Sequence, residues 1–180
     1  MISYNSVSEL AQRASAAGKK ISEIVLHDQS VQLERTQEDL YSQMEYYYKV
    51  MQESIEKGLN CCEKSESGLS GGDAYKLNKR LSSGDVIGGT WFSAMLAKAL
   101  AVSEYNASMG RIVAAPTAGS CGIIPAVLMT AVEEREISEH DAVMSLFTAS
   151  GIGLVIANRA TVSGAEGGCQ AECGSASAMA

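Results

Sequence analysis

Apolar residues recur every three or four positions along much of this chain, and no segment alternates apolar and polar residues between turn signals. That periodicity points to helices packed on one another rather than to a half-buried sheet. It is clearest after Thr36. Thr36 is a good N-cap, and Glu38 and Asp39 follow in the first turn, where the helix dipole favours negative charge. Leu40, Met44, Tyr47, Met51 and Ile55 then step along one face. Gly58 reads as the glycine that ends the helix, so the spacing predicts a helix over 36–57.

The same reading predicts helices over 5–17, with Gly18 as the stop, and over 21–34. Residues 58–72 break the pattern with Ser and Gly, and a short helix starts near Asp73. The loop "SSGDVIGGT" leads into a helix over 86–109, with Trp91, Met95, Ala99 and Val102 on one face. A further helix covers 122–134, with Pro125 in its first turn, where a missing N–H costs nothing. Ser138 and Asp141 form a capping pattern before a buried apolar helix over 142–157. The expectation is all-α: one multi-helix globular domain over 1–180, in which glycine-rich loops feed helix N-termini, with no repeat or linker.

A net charge of −7 speaks against a nucleic-acid partner, which would need a basic face. Five cysteines, an odd number, and a polar N-terminus without a leader pattern are read as a reducing, cytoplasmic setting. Residues 112–132 carry no charge, but their first half is only weakly apolar and aromatic anchors are missing. A buried helix entered through a loop fits them better than a membrane span.

Two stretches hold the chemistry. In "IVAAPTAGSCGIIP", residues 115–122 form a loop that aims backbone N–H groups at one point, with Thr117 and Ser120 adding hydroxyls. This suits a carboxylate or phosphate; the alternative is a tight helix–helix turn. No Gly-Lys-Ser/Thr follows, so it is not a Walker loop. Cys121 could be a nucleophile at a helix start, but His27 and His140 sit in no motif that would make either its base, and a small buried residue is the stronger reading. Cys61 and Cys62 are incidental. Cys169 and Cys173, four apart in "VSGAEGGCQAECGSASAMA", could share a metal on a helix face, but two thiolates do not complete a site.

Together "APTAGSCGIIPAVL" and "ATVSGAEGGCQAECGSASAMA", with "GLSGGDAYKL" and "EYNASMG" upstream, closely resemble the α chain of bacterial iron–sulfur L-serine dehydratase, over essentially all 180 residues. The resemblance implies conversion of L-serine to pyruvate and ammonia, with a 4Fe–4S cluster and not pyridoxal phosphate. Three cysteines would hold that cluster, and its open iron would act as Lewis acid on the serine hydroxyl. Cys169 lies where the family places the first ligand. The other two belong to Cys-Asp-Pro and Val-Pro-Cys motifs that the 180 residues do not reach, so the expectation is a partial chain, inactive alone, that joins a β chain or domain in an oligomer. Cys121 and Cys173 are not family ligands. The substrate carboxylate would sit on Thr117, Ala118, Gly119, Ser120 and Gly122; no residue is identified as the general base. Residues 163–180 are expected to be disordered or to form an oligomer contact. The competing readings are a helical scaffold or small-carboxylate-binding module without chemistry, and a hydrolase using Cys121.

Overall fold

The computed structural model describes residues 4–84 and 86–180. Residues 1–3 of the polar N-terminus, and Asp85 of the loop "SSGDVIGGT", lie outside the described residues. Among the described residues there are eight α-helices and no strand, so the all-α expectation holds. They are α1 (Val7–Ala17), α2 (Ile21–Leu33), α3 (Gln37–Asn60), α4 (Asp73–Leu81), α5 (Gly89–Ala107), α6 (Ile123–Arg135), α7 (Glu139–Arg159) and α8 (Gly164–Met179). A single 3₁₀ turn, Ala118–Ser120, precedes α6.

The helix starts follow local chemistry. The hydroxyls of Ser6, Thr36 and Ser138 each accept the N–H three residues on, which satisfies one orphan donor at the starts of α1, α3 and α7. Gly18 ends α1 in the left-handed conformation, φ 62°. The core gathers Tyr4, Leu10, Val25, Tyr48, Met51, Val102, Val143 and Phe147 from both ends and the middle of the chain. Helix α7 runs through it: α2, α3 and α8 all pack against it.

Gly58 does not end its helix. Helix α3 continues to Asn60, because Gly58 faces α5 instead of capping. A Cβ there would land on the main chain of Ala101, with the Ala101 Cα 2.8 Å away and its carbonyl oxygen closer still. The bare Cα is what lets α3 and α5 approach. Of the predicted face of α5, Val102 is buried, Met95 and Ala99 are half-buried, and Trp91 departs from the expectation in being half exposed. The buried side runs through Ser93, Ala97, Lys98, Ala101 and Val102, with small residues where the helix backbones nearly touch.

Lys98 on that face is almost completely buried, and its ammonium donates to Glu133 Oε2 at 2.6 Å and Thr130 Oγ1 at 3.4 Å on α6. This fixes α6 against α5. Residues 112–132 are an irregular stretch, the 3₁₀ turn and part of α6. Helix α6 has 13 residues, well short of the roughly 20 that a membrane span needs. Helix α7, by contrast, is long and apolar enough to cross a membrane by length and composition alone.

The largest departure is at the C-terminal end. Against the expectation of disorder over residues 163–180, residues 164–179 form α8. Ser175 and Ala176 are buried, and Met179 packs beside Gly153 of α7. Docking on α6 and α7 outweighs the weak helix propensity of the glycines. One of them shows its conformation: Gly168 interrupts α8 with φ 70° and ψ −175°, a region that only glycine occupies readily.

Candidate functional site

The first glycine-containing segment is built on α5 and α6. Gly122, just before α6, is pressed against α5, where a Cβ would overlap the Ala99 carbonyl. Asn106 of α5 donates its side-chain amide to the Ala118 carbonyl at 3.2 Å. Between these anchors, Thr117 Oγ1 and Ser120 Oγ lie 3.1 Å apart. Ser120 is buried and Thr117 half-buried. A hydroxyl pair needs only one proton between its oxygens. Ser120 Oγ also reaches the Thr117 carbonyl oxygen at 3.5 Å, and either hydroxyl can be the donor of the pair. The exposed Ala118 and Gly119 form the rim of the turn, and the predicted loop leading into a helix N-terminus is present.

The second segment is a kinked helix rather than a loop. Thr161 Oγ1 donates to Glu166 Oε2 at 2.6 Å and accepts the Ser163 N–H at 3.1 Å, which orders the entry to α8. Past the Gly168 kink, Cys169 and Cys173 are both exposed, one turn apart. The fold brings the two segments together: the 3₁₀ turn packs directly on α8.

Their meeting point is a residue that the sequence reading missed. The half-buried Glu172 carboxylate sits between Gly119 and Gly164. A Cβ built on Gly119 would stand 2.8 Å from Glu172 Oε2, and one on Gly164 would stand 2.7 Å from the same oxygen. Glutamate three residues after Cys169 carries no signal of its own. The available hint was glycine at two places far apart in sequence.

Cys121 is buried, and that burial pushes its thiol pKa up, the opposite of what a nucleophile needs. His27 and His140 line a surface cleft with Lys19, Glu23, Gln37 and Tyr41, and Cys121 is not part of it. His140 bonds Tyr41 Oη at 3.2 Å and His27 bonds Gln37 at 3.3 Å. These contacts remove the base that a Cys121 hydrolase would require. A thiol-reactive disulfide reagent added to native protein is therefore expected to modify Cys62, Cys169 and Cys173 quickly and Cys121 only on unfolding. Rapid labelling mapped to Cys121 by peptide mass would contradict this.

Residues 16–180 match the family described as "Serine dehydratase alpha chain". The chain belongs to that family. It is 40% identical over 177 residues to the probable L-serine dehydratase, alpha chain, of Bacillus subtilis, covering 98% of this chain and 59% of the relative. It is also 40% identical to the L-serine dehydratase, alpha chain, of Peptoniphilus asaccharolyticus, covering 98% of this chain and 60% of the relative. Against L-serine dehydratase TdcG of Escherichia coli it is 34% identical, over 40% of that protein. The chain thus spans about three-fifths of the α chains it matches.

A cluster held by three cysteines does not fit the described residues of this chain taken alone. Among them no three His, Cys, Asp or Glu side chains stand together as a metal site. Cys169 is one exposed thiol, and Cys173 one turn on is at most a second.

Proposed function

We propose that this chain is the substrate-binding portion of an L-serine dehydratase, a lyase converting L-serine to pyruvate and ammonia. In this reading residues 117–122 hold the substrate carboxylate, and Cys169 supplies one ligand to a 4Fe–4S cluster whose remaining ligands come from outside these 180 residues. The chain alone is then inactive, and it works with a β chain or domain in an oligomer. A reducing, cytoplasmic setting is part of the same reading, and five free thiols are compatible with it. The observation that carries the proposal is the packing of the Thr117–Ser120 turn on the helix that bears Cys169.

The chemistry assigned to these residues is binding and orientation. In this reading a carboxylate at the turn accepts from the Thr117 hydroxyl and from the backbone at the head of α6, where the helix dipole favours negative charge. Ser120 is buried and keeps Thr117 oriented. Thr117→Val retains the branched shape and removes the hydroxyl. In the complete dehydratase it is expected to raise the L-serine KM about tenfold, the usual loss when a hydrogen bond to a charged group is removed. Unchanged kinetics would remove the turn from the site.

The alternative reading is a small-carboxylate-binding module without chemistry. Titration with L-serine, with pyruvate release measured alongside, separates the two. Saturable binding without turnover in the complete protein supports the module.

A further inference from the structure

We propose that Glu172 receives the α-ammonium group of the amino-acid substrate. This rests on the reading that the turn at 117–122 holds the substrate's acid group. An α-amino acid presents opposite charges on one carbon, so a site that orients it needs a donor set and, within a few ångströms, an acceptor. The turn supplies hydroxyl and backbone donors and no acidic side chain. Glu172 supplies the acceptor, against the exposed Gly119 of that turn.

Its environment has the character of a held position. Gly119 and Gly164 flank the carboxylate, and a methyl group on either would crowd it to less than 3 Å. Neither glycine has a positive φ, so their backbones do not call for glycine. The space they leave is taken by the carboxylate. Favourable interaction with the first turn after the kink accounts for an acid on this part of α8. It does not account for two bare positions from separate segments around one carboxylate. Among the described residues no lysine, arginine or histidine forms an ion pair with Glu172, whereas neighbouring Glu166 is bonded to Thr161. A half-buried carboxylate gains from a hydrogen-bonded cation, and an ammonium group provides one. Cys169 lies three residues earlier on the same helix, the spacing that puts two side chains on one face.

The test uses the complete dehydratase, with L-serine as substrate and 3-hydroxypropanoate as competitive inhibitor. The inhibitor keeps the acid and hydroxyl groups and lacks the amine. Glu172→Gln is expected to raise the L-serine KM tenfold to a hundredfold, roughly the value of a charged hydrogen bond, while the inhibition constant of 3-hydroxypropanoate stays within about twofold. Gly164→Ala, which displaces the carboxylate and leaves its charge, should show the same split with a smaller amplitude. An unchanged KM in Glu172→Gln overturns the proposal, and so does equal weakening of both ligands, which would mark Glu172 as structural. Failure of Thr117→Val to affect either ligand would instead overturn the reading of the turn.

Discussion

Replacing Cys169 by serine in the complete dehydratase is expected to abolish L-serine turnover, by at least about a hundredfold, and to remove most of the bound iron. The size follows from the proposed role, because a cluster that loses one of three thiolates loses its hold on the protein. The structure also sets what should not change. Cys169 is exposed, just past the kink, and packs into no core. Substitution at such a surface position usually alters stability by no more than about 0.5 kcal/mol. The melting temperature and helical content should therefore match those of the iron-free parent protein. Cys173→Ser, at an equally exposed thiol one turn along α8, should retain both iron and turnover. Anaerobic purification with iron measured per chain decides the matter. A Cys169→Ser protein that keeps its iron and activity would end the assignment.

The second large effect concerns stability. Gly58→Ala is expected to lower the melting temperature by about 3–10 °C, from roughly 1–3 kcal/mol of overpacking in a chain of this size. Alanine is the better helix former by up to about 1 kcal/mol, so propensity alone predicts the opposite sign. The overlap prevails because the group in the way is the Ala101 backbone, which cannot rotate aside as a side chain can. Gly174→Ala provides the contrast. It also lies within a helix, but a Cβ there meets nothing within 4 Å. That substitution should raise the melting temperature slightly. Circular dichroism melts of the two variants are sufficient, and a Gly58→Ala protein as stable as the parent would refute the close contact of α3 and α5.

These glycines show what could be read from the sequence. Thr36 and Ser138 were legible as caps because a cap depends on residues three apart. Gly58 was misread because a helix-ending glycine and a helix-crossing glycine have the same local sequence; only the partner helix, some forty residues on, distinguishes them. Trp91 misled for a related reason. Bulk is a guide to the core where side chains fill space, and here α5 turns its small residues inward. Residues 164–179 looked like a loop because glycine is a poor helix former, and the docking surface on α6 and α7 that holds them helical leaves no trace in their own sequence.

The site was legible to a similar degree. Thr117 and Ser120 could be chosen as a hydroxyl pair because both lie on one short turn. Cys169 stood out through its motif. Glu172 could not be chosen, since its meaning depends on Gly119 and Gly164, separated by forty-odd residues of chain and joined only when α8 folds back.

The way α7 is clothed has a consequence for how the protein is made. Gly151 of α7 lies against Val25, Leu10 and Tyr4, Ser150 bonds Gln29, and Arg159 donates to the Asn5 carbonyl at 2.8 Å. Helix α2, with Tyr4 and Leu10, therefore covers one side of a segment whose own composition would suit a bilayer. These residues leave the ribosome more than a hundred residues before α7, so the surface that must receive this greasy rod is synthesised before the rod itself, and the nascent protein need not present it bare to chaperones or membranes.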